Sequence, residues 1–450
     1  MGRLFGTDGV RGIANRELTA SLAYDIGKAA AFVLSSEHEH PVFFIGKDTR
    51  ISGDMLESAL AAGIMSVGGR AVRLGVIPTP AVAYLVRKHG ADAGVVISAS
   101  HNSFEYNGIK LFNRDGYKLD DATEEKIEDI ILSHEFHHPE FIGDAIGTWR
   151  DSEIALEEYT EFLLSTFDRR LDGVKICLDT ANGASYQAAE MVYTRLGAEV
   201  TVISNEPDGI NINDGCGSTH PENLQKKVVE MGADVGFAYD GDADRLIVID
   251  ELGRIIDGDR VMCICGTMLK EQGKLNGKNI TATVMSNIGL HKYLEEQGIG
   301  VDVTAVGDRY VLESMRETGS MLGGEQSGHM IFAEHTTTGD GILSSLQFMK
   351  AYMNSGRKLS ELRDEIKIYP QALVNAAVDK DKRTEALKDA EIKARIDEVE
   401  AKLHGTGRVL IRPSGTEPLI RVMLEGEDID EIQGYAVEIA GMFVDKYGNK

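Results

Sequence analysis

Asp240, Asp242 and Asp244 alternate with Gly241 and Ala243 in a short run that ends in Arg245. Carboxylates at this spacing can converge on one hard cation, and magnesium prefers oxygen ligands in octahedral array. A calcium EF-hand is excluded, because Arg245 occupies the sixth position, where glycine is needed, and the apolar run LIVID follows at once. A solvated acidic turn would hold three unpaired carboxylates, so a metal loop is the expectation. Gly241 gives the backbone freedom to wrap an ion, and Arg245 would stand beside it as a fixed donor.

A second polar loop, SASHNSFEYNGIK (98–110), surrounds Ser100 with small residues that should leave its hydroxyl accessible. A serine needs activation to act as a nucleophile. His101 is not expected to supply it, because adjacent side chains rarely converge, and no GxSxG elbow points to acyl transfer. Taken alone, the loop fits an ordinary polar turn equally well.

A third loop, GGEQSGH (323–329), offers Glu325 and Ser327 to sugar hydroxyls and His329 for proton exchange. A glycine-rich hairpin with incidental polar residues is as good a reading. The fourth is RPSGTEP (412–418), followed by Arg421. Arg412, Ser414, Thr416 and the backbone N–H groups around Gly415 form a nest suited to a phosphate dianion. The Walker lysine and the Rossmann glycines are absent, so a nucleotide phosphate is not indicated. Two basic segments remain, GTDGVRG (6–12), read as a turn carrying Arg11, and GKDTRISG (46–53), carrying Lys47 and Arg50. With Lys110 these cations could balance a phosphorylated serine.

Short β-branched runs alternate with amphipathic helical stretches, which predicts α/β layering. Strands are expected at 41–46, 71–77 and 93–99, with helices at 55–69 and 79–90. The strands lack alternation, so both faces should be covered. Ser100 then falls just beyond a strand's carboxyl end, where open α/β sheets bind ligands. The pattern restarts near 151 and again at the helix 258–271, then changes to a hairpin with a charged helix at about 383–402. The expected class is α/β: three similar mixed α/β domains followed by a smaller α+β C-terminal domain. Their expected limits are 1–155, 156–255, 256–368 and 369–450.

Acidic residues outnumber basic ones 72 to 47, for a formal charge of −25. That disfavours nucleic acid, which needs a basic surface. It also means that an anionic substrate must find locally clustered cations. No apolar run approaches the roughly 20 residues that span a bilayer, and the N-terminal residues show no secretory signal. A soluble cytoplasmic protein without membrane contact is expected. Cys177, Cys216, Cys263 and Cys265 have no zinc-finger spacing and read as buried free thiols.

The serine loop, aspartate loop, sugar-contact loop and phosphate nest, in this order, resemble the α-D-phosphohexomutase superfamily across essentially the whole chain. Within it the segments 209–222, GGEQSGH and RPSGTEPLIRVM (412–423) are most similar to the bacterial phosphoglucosamine mutase branch. Gln326 stands where phosphomannomutase/phosphoglucomutase enzymes typically carry methionine, and Ser103 departs from a proline common in relatives. The resemblance implies four domains around a central cleft and a phosphoryl group on Ser100. It implies one Mg2+ held by Asp240, Asp242, Asp244 and the phosphoserine. Arg11, Lys110, Arg245 and His329 would serve electrostatics and acid/base transfer; Glu325 and Ser327 would hold the sugar. Arg412, Ser414, Gly415, Thr416 and Arg421 would hold the non-reacting phosphate. The implied reaction interconverts glucosamine 6-phosphate and glucosamine 1-phosphate through glucosamine 1,6-bisphosphate, supplying UDP-N-acetylglucosamine and cell-wall precursors, with a homodimer as a possible assembly. A mutase for mannose or glucose phosphate, a magnesium phosphatase and a non-catalytic phosphosugar-binding protein are the competing readings.

Overall fold

A computed structural model describes residues 4–6, 8–35, 40–133, 140–275, 279–414 and 418–448. It divides into two compact units, one of 1–285 with 298–365 and one of 286–297 with 366–450.

The first unit holds three mixed sheets. The first has strands β1 (Val10–Ile13), β2 (Val42–Lys47), β3 (Arg70–Val76), β4 (Ala93–Ile97), β5 (Tyr106–Asn113) and β6 (Trp149–Asp151), in the order β1-β5-β4-β2-β3-β6. The second has β7 (Lys175–Asp179), β8 (Glu199–Ile203), β9 (Val235–Tyr239), β10 (Leu246–Asp250) and β11 (Ile255–Ile256), in the order β11-β10-β9-β7-β8. The third has β12 (Asn279–Thr283), β13 (Gly300–Thr304), β14 (Leu322–Gly324) and β15 (Met330–Phe332), in the order β13-β12-β14-β15.

One plan underlies all three. Two parallel strands are followed by a third parallel strand that turns back as an antiparallel hairpin: β4 into β5, β9 into β10, β14 into β15. Parallel neighbours need crossover helices, and these cover the sheet faces. Strand β4 is accordingly buried at every residue, as its unbroken apolar run predicts. The serine, aspartate and GGEQSGH loops are the three hairpin connections, each leaving the carboxyl end of the equivalent strand.

Several elements differ from the sequence reading. Arg11 lies on β1, not in a turn, because Val10–Ile13 pairs antiparallel with Tyr106–Ile109. The serine loop is shorter than 98–110, since β5 begins at Tyr106 and places Lys110 within a sheet. The charged C-terminal helix is two helices, Arg383–Ala386 and Ala390–Lys402, because Asp389 caps the second by accepting from the Glu391 and Ile392 amides.

The second unit is an antiparallel sheet of β16 (Gln371–Ala377), β17 (Arg408–Pro413) and β18 (Leu419–Glu425), in the order β16-β18-β17. The helix Ile429–Tyr447 covers it, and Ile420, Val422, Ile432, Ile439 and Phe443 form its core. The helix Ile288–Glu296 belongs to this unit. Its entry is fixed where Asn287 donates to the Tyr369 carbonyl at 2.9 Å and the Ile288 amide donates to Glu425 at 2.9 Å.

Candidate active site

Ser100 stands at φ +52°, a left-handed backbone that a side chain with a Cβ adopts at a cost. The turn aims its hydroxyl at the aspartate loop, where Ser100 Oγ donates to Asp240 Oδ2 at 2.6 Å. Two expectations fail here. The small neighbours do not leave Ser100 open: it is 2% exposed, packed against the aspartate loop. The same turn brings adjacent side chains together, so His101 Nδ1 lies 3.3 Å from Ser100 Oγ. Burial, then the Arg245 and Arg11 charges, push the His101 imidazole down to about 4, so it is neutral near pH 7.

Ala243, also left-handed at φ +60°, folds the aspartate loop back so that Asp240, Asp242 and Asp244 each offer an oxygen within 4.8 Å of the others. All three are buried. Burial raises the Asp240 carboxyl well above its ordinary range, reinforced by the charges of Asp244 and Asp242. Asp244 is raised by burial and by Asp242. Burial also works to raise Asp242, yet it is lowered, because the Lys110 ammonium sits 2.8 Å away and the Thr79 hydroxyl donates at 2.7 Å.

The trio is therefore not wholly unpaired, as its spacing alone suggested. Asp242 Oδ1 and Asp244 Oδ1 nonetheless remain buried without a hydrogen-bond partner among the described residues. Orphaned carboxylate oxygens facing a common centre are costly unless a cation meets them. The donor set, all hard oxygen, fits a divalent ion such as magnesium.

Residues that the sequence did not single out complete the electrostatics. Asp8 pairs with Arg11 and Lys118 and lies 2.9 Å from Lys110. Lys118 also pairs with Asp308, which is 3.7 Å from His329 Nε2; His329 in turn is 3.9 Å from Asp244. Alternating charges thus run from Asp242 through Lys110, Asp8 and Lys118 to Asp308, and the His329 imidazole lies between Asp308 and Asp244. Burial opposes charge on Lys110, but Asp242 and Asp8 raise its pKa and keep it an ammonium. Only the partners' convergence from three sheets reveals Asp8, Lys118 and Asp308; no local spacing signals them.

The basic residues divide. Arg245 donates its amide to Asp240 at 3.1 Å, and its Nε is 3.9 Å from Asp244. Lys47 is taken by Asp54 at 2.6 Å and Glu57 at 2.5 Å, away from the serine. Arg50 is buried in a pair with Asp48 and donates to backbone carbonyls. Neither is free to meet a phosphoryl group.

The GGEQSGH turn docks directly on the aspartate loop. Arg245 and His329 form a backbone bridge, and the Leu246 amide donates to the Gly328 carbonyl at 3.0 Å. Gly328, at φ +93°, has no room for a Cβ, which would sit 2.1 Å from the Leu246 oxygen. Glu325 accepts from the Gly307 amide at 3.0 Å, while Ser327 is exposed at the tip. His329 is 3% exposed.

In the second unit Arg412 and Arg421 face each other across β17 and β18. Burial, then the charge of Arg421, lower the Arg412 pKa. Like charges placed opposite one another destabilise a sheet unless an anion joins them. Ser414 is buried at the end of β17; Gly415 and Thr416 lie outside the described residues.

The four family models that match this chain are described as phosphoglucomutase/phosphomannomutase α/β/α domain I (residues 2–138), domain II (157–253), domain III (257–369) and the C-terminal domain (373–442). The phosphoglucosamine mutase of Ruminiclostridium cellulolyticum is 57% identical over 440 residues, which cover 98% of each chain. That of Acetivibrio thermocellus is 55% identical over 449 residues, covering 100% of both. Among solved structures, a phosphoglucomutase/phosphomannomutase family protein from Burkholderia thailandensis superposes with a TM-score of 0.78 at 24% identity, covering 97% of each chain. The N-acetylphosphoglucosamine mutase of Aspergillus fumigatus, solved with GlcNAc-6P and magnesium, gives 0.71 at 18% identity, covering 98% of this chain and 95% of its own.

Proposed function

This chain belongs to the phosphoglucomutase/phosphomannomutase family, and from that premise we propose that it is a phosphoglucosamine mutase. It interconverts glucosamine 6-phosphate and glucosamine 1-phosphate, supplying UDP-N-acetylglucosamine and cell-wall precursors. The observation that carries the mechanism is the 2.6 Å contact of Ser100 Oγ with Asp240 inside a cluster of three carboxylates.

In the first half-reaction the sugar's free hydroxyl attacks the phosphorus of phosphoserine 100. The new sugar O–P bond forms as the Ser100 Oγ–P bond breaks, and the hydroxyl proton passes to a nearby base, for which His329 is our candidate. The product, glucosamine 1,6-bisphosphate, turns over and returns its other phosphoryl group to Ser100; the departing sugar oxygen recovers a proton. Such transfers depend on positioning and charge neutralisation more than on covalent assistance. Lys110, Arg11 and Arg245 supply fixed positive charge, while Glu325 and Ser327 accept and donate to sugar hydroxyls. Arg412, Ser414 and Arg421, with Gly415 and Thr416, hold the phosphate that is not reacting. Asp240, Asp242 and Asp244 would hold one Mg2+, which as a Lewis acid stabilises charge on the transferring oxygens.

Among the described residues no helix is long and apolar enough to cross a membrane. We place the enzyme in the cytoplasm, where its substrate is a small phosphosugar. Exposed Ile142, Ile146, Trp149 and Ile154 around β6 favour a homodimer.

Initial rates on glucosamine, glucose and mannose 6-phosphates test the reading. Glucosamine 6-phosphate should be preferred by at least about tenfold, and Ser100→Ala should lose mutase activity by several orders of magnitude. A strong preference for glucose or mannose, or full activity without Ser100, would overturn it.

A further inference from the structure

The segment GININDGCGST (209–219) lies in the second sheet's domain, outside the four loops, yet it reaches the serine. Asn213 has its own left-handed backbone at φ +58°, held by its amide donating to the Ala181 carbonyl at 2.9 Å. This turn buries the side chain, 8% exposed, and points its amide into the Ser100 loop. Asn213 Nδ2 donates to the Ser100 carbonyl at 2.9 Å and to the Asn102 carbonyl at 3.0 Å. Two carbonyls on one side fix the amide's orientation, since the reversed amide would set oxygen against oxygen.

Arg50 approaches the same two carbonyls, donating through Nη2 to Ser100 O at 3.1 Å and Asn102 O at 2.5 Å. Each carbonyl therefore has both lone pairs occupied, once from its own domain and once from the next. Gly241 leaves the space: a Cβ there would sit 2.6 Å from Ser100 O and 2.8 Å from Asn213 Nδ2. A left-handed serine persists only where its surroundings over-determine it. Four hydrogen bonds from two side chains do so here.

We propose that Asn213 is a positioning residue for phosphoryl transfer: its amide fixes the Ser100 peptide, and so the direction of Ser100 Oγ relative to the aspartate loop. The inference rests on the mutase reading above. Asn213 touches no reacting atom. Its loss should let the serine turn relax, and a misplacement of about 1 Å at a reacting centre costs on the order of 100-fold in rate.

Glycine accepts the left-handed backbone and removes only the amide, so Asn213→Gly separates the clamp from the turn. Asn213→Asp keeps the shape and replaces the donor with an acceptor that repels both carbonyls. On full-length, phosphorylated enzyme with Mg2+, kcat for glucosamine 6-phosphate should fall about 10- to 100-fold in Asn213→Gly, and further in Asn213→Asp. KM should stay within about twofold, and the inorganic phosphate released per turnover should rise as water competes for a misdirected phosphoserine. An Asn213→Gly enzyme with wild-type kcat and phosphate release overturns the inference, and so does a fully active Asn213→Asp enzyme. If the wild type with a phosphoryl group on Ser100 shows no mutase activity, the mutase reading itself falls. An active, phosphorylated wild type beside an unaffected Asn213→Gly enzyme sinks the inference alone.

Discussion

Asp244 carries the sharpest test at the scale of single residues. Its carboxyl is raised by burial and by Asp242, and its Oδ1 has no hydrogen-bond partner among the described residues. A group in that condition is stabilised by a cation more than by anything else in its surroundings. Asp244→Asn removes one charged ligand while keeping the shape. The Mg2+ concentration for half-maximal activity should rise at least about tenfold, by analogy with the 10- to 100-fold that even supporting groups contribute. Titration of metal-stripped enzyme checks this, and an unchanged requirement would place the ion elsewhere. The aspartate trio was legible because its geometry is local, set by three residues and a turn. Asp8, Lys118, Asp308 and Asn213 were not, since each matters only through a partner far along the chain. Lys47 and Arg50 misled for a different reason: carboxylates close to them in sequence, Glu57 and Asp48, claim them in the fold.

At the scale of elements, the repeated hairpin explains why loops with unrelated sequences meet. In β4–β5, β9–β10 and β14–β15 the connection leaves the same end of an equivalent strand, so three sheets of one plan deliver three loops of different chemistry. Alternating strand and helix patterns announced that plan, whereas the hairpins' return strands were harder to see. The first part of β5, residues 106–110, reads as polar loop because its Asn, Gly and Lys are buried by the fold around them rather than by their own hydrophobicity. The close seating of hairpin connections leaves little tolerance. Gly241→Ala forces a Cβ to within 2.6 Å of Ser100 O and 2.8 Å of Ile212 Cδ1. Overpacking of this kind costs about 1–3 kcal/mol, so the variant should melt several degrees lower. Its mutase rate should fall by much more than that loss of stability implies, because the displaced atoms belong to the serine loop. Thermal unfolding alongside initial rates measures both; a stable, fully active Gly241→Ala would show that the two loops can separate without consequence.

Across the larger unit, a chain with a formal charge of −25 builds its anion site by pairing its cations with carboxylates in small clusters. One such cluster joins the first and third sheets' domains away from the serine. Arg309, on the helix Asp308–Thr318, meets Asp121 at 2.5 Å and Glu124 at 3.7 Å on the helix Asp121–Ser133, and Glu313 at 3.3 Å on its own helix. Burial pushes the Glu124 carboxyl up to about 7; Arg309 and Lys118 oppose the shift, and Asp121 and Asp120 add to it. The folded chain then keeps a proton on Glu124 that the unfolded chain, with an ordinary pKa near 4.5, gives up. The stability that Glu124 contributes falls as pH rises from about 4.5 through about 7, because over that window this group binds more protons in the folded state than in the unfolded one. Above it the loss is complete and the slope disappears. Glu124→Gln deletes this titration while leaving Arg309 its partners Asp121 and Glu313. Between pH 5 and 7.5 the wild-type melting temperature should therefore decline relative to that of Glu124→Gln, with the gap levelling off above pH 7.5. Parallel pH–melting curves for the two proteins would expose a wrong sign at once: a gap that widens toward acid would mean Glu124 is ionised in the fold.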